Sequence, residues 1–144
     1  MGADRILFSG GEPTIHLPYI EAVVTAARKL KPDTKINYDT NGYMTEQSLK
    51  RVLSFTTSIT YDLKAYHDEL HRALTGVPSR PVLRNAEYIA RYAFDKLWEY
   101  RIVVIPQINE NEIRPLTEFI ADIDPLLRVC FLAFRPNFAL ENHK

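Results

Sequence analysis

Thr57-Ser58-Ile59-Thr60-Tyr61-Asp62-Leu63-Lys64 alternates without a break: Ile59, Tyr61 and Leu63 against Ser58, Thr60, Asp62 and Lys64. Successive side chains of a strand point to opposite faces, so this segment reads as a half-buried strand. Two neighbours repeat the pattern. In 34–39, Ile36 and Tyr38 oppose Lys35, Asn37 and Asp39, and in 97–105 Glu99 and Arg101 share a face. Further strands are expected at 5–9 and 127–134. Between them lie helical stretches at 17–30, 45–53, 81–94 and 113–123, with a short one at 67–74. Ala22, Val23, Ala26, Ala27 and Leu30 recur at helical spacing, as do Leu116, Phe119, Ile120 and Ile123. Thr45 reads as an N-cap and Pro81 suits a first helical turn. Repeating βα units imply a parallel sheet with right-handed crossovers. Buried parallel strands usually form continuous apolar runs. Alternation instead leaves one face for helices and gives the polar face to a cavity. The fold expected is therefore α/β, an open, partial parallel (β/α) barrel of about five strands, as one domain over 1–144. Function in such barrels sits at the strand C-terminal ends, where Glu12, Asp39, Asp62 and Lys64 fall.

Composition narrows the classes. The 144 residues suffice for one domain with a real core. Eighteen Lys and Arg balance eighteen Asp and Glu, so no global field draws the chain to nucleic acid or to an anionic membrane. No apolar stretch approaches the roughly 20 residues that span a bilayer, and no signal peptide opens the chain. Cys130 is the single cysteine, which excludes an internal disulfide and fits a reducing, cytoplasmic setting. One thiol also falls short of an iron–sulfur cluster, which needs several. There is no internal repeat or low-complexity tract.

Ser9-Gly10-Gly11-Glu12-Pro13-Thr14 follows the apolar run Arg5-Ile6-Leu7-Phe8. Two glycines at a strand end expose bare backbone beside one carboxylate, an arrangement suited to a ligand carrying an ammonium group. Asp39-Thr40-Asn41-Gly42, read alone, is a turn, because Asn-Gly favours positive φ. Asp62-Leu63-Lys64 then ends the next strand and is followed by His71 and Thr75-Gly76. Arg101-Ile102-Val103-Val104-Ile105-Pro106 completes the series.

This ordered set resembles the radical SAM superfamily, and within it the activases of glycyl radical enzymes typified by pyruvate formate-lyase activating enzyme. The likeness runs from about Ile6 to Pro106. It implies a radical SAM core in which S-adenosylmethionine is cleaved reductively at a 4Fe-4S cluster to give a 5′-deoxyadenosyl radical, for use on a glycyl radical enzyme or another protein substrate. By the same resemblance Gly10, Gly11 and Glu12 contact the methionyl amine. Asp39 and Asp62, with the Thr40 region, match carboxylates that bind a monovalent cation. Lys64 and Arg101 lie near the methionyl carboxylate or the peptide substrate. Where the subgroup carries a histidine near the end of the last strand, this chain has Arg135.

The superfamily holds its cluster on a cysteine loop upstream of the glycine motif, yet only nine residues precede Gly10 and none is cysteine. The expectation is a core lacking its first βα unit and cluster loop, with no catalytic residue of its own. Such a core leaves strand 5–9 as an unprotected edge prone to self-association. Three readings stay open: a truncated radical enzyme inactive alone, half of a split enzyme, or a non-catalytic module binding S-adenosylmethionine or a nucleotide. His67-Asp68-Glu69-Leu70-His71 places two histidines at zinc-ligand spacing, but no third ligand is evident. Cys130 is expected to be buried and inert, and Trp98, Tyr100, Phe131 and Phe134 to fill the core against the helices. His16 and His143 read as surface residues.

Overall fold

The structure, a computed structural model, describes residues 3–135. Strands β1 (Arg5–Phe8), β2 (Lys35–Thr40), β3 (Ser58–Leu63), β4 (Leu97–Val104) and β5 (Val129–Ala133) form one sheet. They alternate with helices α1 (Leu17–Leu30), α2 (Glu46–Phe55), α3 (Asp68–Thr75), α4 (Ser79–Tyr92) and α5 (Ile113–Ile123). The order is β1-β2-β3-β4-β5 and every pairing is parallel. A doubly wound sheet reverses its strand order at a switch point; this one does not, and it is the partial barrel that the alternation predicted.

One sheet face carries the core. Ile36, Tyr38, Ile59, Tyr61, Leu63, Tyr100 and Ile102 join Ile20, Val24, Val52, Ile89, Leu116 and Ile120 of the helices in a single apolar cluster. Three tyrosines are fully buried, and each hydroxyl finds a partner. Tyr61 donates to the Val82 carbonyl (2.7 Å), Tyr100 donates to the Ala86 carbonyl (2.8 Å), and Tyr38 meets the Thr14 hydroxyl (3.2 Å). Tyr61 and Tyr100 sit opposite each other in register, edge to face at 5.8 Å, a favoured geometry for aromatic pairs.

Local signals set most boundaries. Thr45 caps α2 as expected, accepting from the Ser48 amide at 3.1 Å. That helix runs on to Phe55 because Val52 and Phe55 are both drawn into the core. Helix α4 starts before Pro81, at Ser79, with Pro78 at its N-cap. Of the four aromatic residues assigned to the core, only Tyr100 is there. The register of β3 and β4 shifts between Ile59 and Thr60, which leaves Trp98 as an extra residue of β4. It is 53% exposed, with the Arg128 guanidinium over its ring at 4.4 Å. Phe131 lies on the edge strand and is largely exposed, and Phe134 is only partly covered. Cys130 is half-buried rather than buried, because it pairs in register with Arg101 and so belongs to the sheet face without helices.

Gly42 turns the chain after β2 at φ 73°, and a Cβ there would run into the Tyr61 hydroxyl. Gly76 ends α3 at φ 78° with open space beside it. Both pay the left-handed cost on substitution, about 1–2 kcal/mol, but Gly42→Ala adds an overlap with a fully buried ring, for a total of about 2–4 kcal/mol. Urea denaturation of Gly42→Ala and Gly76→Ala should show the larger loss in the former.

Candidate active site

The Glu12 carboxylate is the most heavily engaged acid at the strand C-termini. Oε1 accepts from the Thr14 amide (3.1 Å), the Thr14 hydroxyl and the Thr40 hydroxyl (2.9 Å), while Oε2 accepts from the Asn41 amide at 2.7 Å. Thr40 in turn accepts from the Gly42 amide at 3.0 Å. Glu12 therefore fastens the loop after β1 to the loop after β2. With that carboxylate occupied, the bare part of the motif is Gly10 and Gly11, both exposed, at φ 81° and 40°. Nothing lies within 4 Å of where a Cβ would stand at either.

A second group forms on the sheet face without helices. Arg101 of β4 donates through Nε to Asp62 Oδ1 (2.8 Å) and through Nη2 to Asp39 Oδ2 (3.2 Å). Lys64 donates to Asp62 Oδ2 at 2.9 Å, and Ser9 reaches Asp39 Oδ2 at 3.3 Å. Asp62 and Arg101 are register partners, so the parallel pairing itself makes this contact. Burial opposes the Arg101 charge, but Asp62 and Asp39 outweigh it and raise its pKa above the ordinary guanidinium value. Asp39, Asp62, Lys64 and Arg101 are thus brought together. Glu12 is not among them: Asp39 and Thr40 point to opposite sides of β2, and Glu12 bonds to Thr40.

Sequence reasoning missed three polar anchors. Asn85 is fully buried on α4 and donates to the carbonyls of Gly42 and Met44, each at 2.9 Å. Its signal was a lone amide within the apolar stripe of Val82, Ala86 and Ile89. Asn109 accepts from the Ile105 amide (2.7 Å) and donates to the Val103 carbonyl (2.7 Å). Glu112, 5% exposed, receives the Tyr66 amide (2.6 Å) and His67 amide (2.9 Å) on Oε2, with His67 Nδ1 2.8 Å from Oε1. Asn109 and Glu112 carry no signal in the sequence, since their partners are set only by how loops after β3 and β4 meet. Burial acts to raise the Glu112 pKa, but the hydrogen bonds from His67 and Tyr66 prevail and lower it. The stability it confers is present above the ordinary carboxylate pKa of the unfolded chain and is lost as pH falls through the lower folded value.

The two histidines at zinc spacing turn apart. His67 faces Glu112, and His71 is buried with Nδ1 on the Val77 carbonyl at 2.8 Å. Among the described residues no group of three or more His, Cys, Asp or Glu is arranged to hold a metal ion. The carboxylates of Asp39 and Asp62 are hard donors, yet both Asp62 oxygens and Oδ2 of Asp39 already accept from Arg101, Lys64 or Ser9. A monovalent cation at this pair would compete with Arg101 and Lys64 for the carboxylates. A cleft of about 620 Å³ opens along Phe8, Gly10, Gly11 and Tyr19, and one of about 690 Å³ lies between Glu12, Tyr43, Gln47 and Arg84. No described helix is long and apolar enough to cross a membrane.

A glycine-rich loop and a charged group, both at the C-terminal ends of a one-sided parallel sheet, define a partial barrel of radical SAM type. The radical SAM superfamily profile matches residues 1–120, and the chain belongs to that superfamily. It is 30% identical over 122 residues to the isethionate sulfite-lyase activating enzyme of Oleidesulfovibrio alaskensis, covering 83% of this chain and 38% of that protein. It is 29% identical over 140 residues to the pyruvate formate-lyase 1-activating enzyme of Escherichia coli K12, covering 94% and 54%. The fold matches a domain of pyruvate-formate lyase-activating enzyme from Bacteroides vulgatus with a TM-score of 0.70 at 23% identity, over 87% of this chain and 74% of that one. The chain spans about half or less of the length of these curated relatives.

Glu12→Gln keeps the side chain's shape but turns an amide nitrogen toward donors that need an acceptor. It should cost about 1–3 kcal/mol, read as a shift in the urea midpoint, and Thr40→Val, which loses the bond to Glu12 and leaves the Gly42 amide without its acceptor, should cost a similar amount.

Proposed function

We propose that this chain is the S-adenosylmethionine-binding part of a radical SAM activating enzyme that acts on a glycyl radical enzyme or another protein substrate. The observation that carries the reading is the Gly10 and Gly11 loop. It is exposed, free of side chains and open on the side where a Cβ would stand, and it is held in place by Glu12 on Thr40 and Asn41. Peptide carbonyls there suit the methionyl ammonium. Lys64 and Arg101 supply positive charge for the methionyl carboxylate, while Asp39 and Asp62 keep both cations aligned. Were S-adenosylmethionine held here and given one electron by a reductant outside this chain, cleavage of its sulfonium C–S bond would supply a carbon radical and leave methionine.

A 4Fe-4S cluster does not fit the residues of this sequence. Its one thiol, Cys130, stands in β5 beside Arg101, and a cluster needs several thiolates. We therefore assign no step to a cluster here and propose that the chain by itself is inactive, its cluster ligands coming from elsewhere. Arg101 and Lys64, held on Asp39 and Asp62, already supply the positive charge that a monovalent cation would bring to these carboxylates.

Isothermal titration with S-adenosylmethionine tests the site. Weak binding is expected, and Lys64→Ala should reduce it by about 2–12-fold, the value of one hydrogen bond of ~0.5–1.5 kcal/mol. Glu12→Ala should reduce it through the loop. Tight binding that survives both substitutions would sink the assignment.

The outer edge of β1 carries no strand among the described residues, and Leu7 beside it is 57% exposed. Free strand edges pair with other chains, so we propose self-association through β1. Sedimentation velocity should show a dimer or larger species, and a monomer at high concentration would refute it.

A further inference from the structure

Glu112 does more than anchor a loop. Its Oε2 is filled by the amides of Tyr66 and His67, and its Oε1 faces His67 Nδ1 at 2.8 Å. A carboxylate receiving two backbone amides, with its pKa lowered, is ionised, and an ionised carboxylate only accepts hydrogen bonds. Nδ1 must therefore carry the proton and donate. In the neutral ring this leaves Nε2 as a bare lone pair, and which nitrogen is free is set by the partner of the other. The His67 side chain is 61% exposed, against 7% for Glu112. A buried acid thus orients an open base, the logic by which a carboxylate aligns a general base.

The surroundings say what this atom can meet. His67 lines a cleft of about 510 Å³ with Tyr66, Leu83 and Phe119 as apolar walls and Arg80 at its side. The Tyr66 ring stands edge-on to His67 at 5.4 Å and tilts against Phe119 at 6.0 Å. The two acids of this cleft are committed elsewhere: Asp68 to Arg72 and the Ser79 amide, Glu87 to Arg91. Nε2 is left as the oriented acceptor of the cleft. The other described histidines differ. His71 is buried, and His16 is exposed with no carboxylate in contact.

We propose that His67 Nε2 is a fixed hydrogen-bond and proton acceptor in the cleft between the loop after β3 and helices α4 and α5, fitting an O–H donor on an aromatic body, the tyrosine side chain of a partner polypeptide. Only the identity of that visitor rests on the activating-enzyme reading. If the proton transfers, the O–H bond breaks, its electron pair stays on oxygen, and the new Nε2–H imidazolium keeps its Nδ1–H on the Glu112 carboxylate.

The test uses the chain alone. Long-range proton–nitrogen NMR at high pH should show neutral His67 with its proton on Nδ1. Diethyl pyrocarbonate should modify His67 faster than His16, and Glu112→Gln should slow the His67 reaction, because the carboxylate that holds the proton on Nδ1 and leaves Nε2 free is lost. Titration with 4-methylphenol should shift His67 Nε2 saturably and leave the His16 ring unmoved. A neutral ring protonated on Nε2, a rate no faster than that of His16, or no phenol-dependent shift would each overturn the proposal. Should Glu112→Gln fail to fold, the wild-type tautomer, rate ranking and titration still decide. Failure to bind S-adenosylmethionine would strike the activating-enzyme reading and leave these results standing.

Discussion

Five parallel strands laid down in sequence order put every crossover helix on the same side of the sheet. The rest of the molecule follows from that constraint. A strand covered on one face only must divide its side chains, and β2, β3 and β4 do so residue by residue. Tyr38, Tyr61 and Tyr100 go under the helices, and Asp39, Asp62 and Arg101 go to the open face. A sheet covered on both faces would have to bury these charges at a cost of several kcal/mol each. Here they remain partly solvated and satisfy one another.

The two polar systems at the strand C-termini serve different ends. Glu12 works through backbone, clasping the loops after β1 and β2 so that Gly10 and Gly11 stay exposed in a conformation side chains disfavour. The Asp39, Arg101, Asp62 and Lys64 group works through side-chain charge. In it, opposite charges alternate, so each cation is held in place by an acid before any ligand arrives. Such preorganisation would lower the entropy lost on binding the zwitterionic ligand proposed for this site.

The far side of the mouth is built from longer-range contacts. Glu112 and Asn109, at the end of the β4–α5 connection, fix the connection after β3, just beyond Lys64. A buried carboxylate with amide donors is costly to leave unsatisfied, so these anchors couple the position of Lys64 and His67 to the seating of α5. Asn85 does the same for the turn at Gly42 from α4. Each mouth loop is thus held by an element distant in sequence. The loops can present bare backbone and charge to a ligand because their own folding does not depend on those groups.

The sequence alone determined the fold class, the five strands and the faces of β2, β3 and β4, because alternation is a local property of strand geometry. It also marked the glycine loop and the charged strand ends, through residue types whose chemistry is evident wherever they stand. The tertiary structure decided which of these groups meet. It placed Glu12 across β2 from Asp39, joined Arg101 to both Asp39 and Asp62, and put Trp98 outside through a one-residue register shift. It also made Glu112 and Asn109 anchors and separated His67 from His71. Those outcomes depend on strand register and loop approach, which are set by packing among segments far apart in the chain, and no local pattern encodes them.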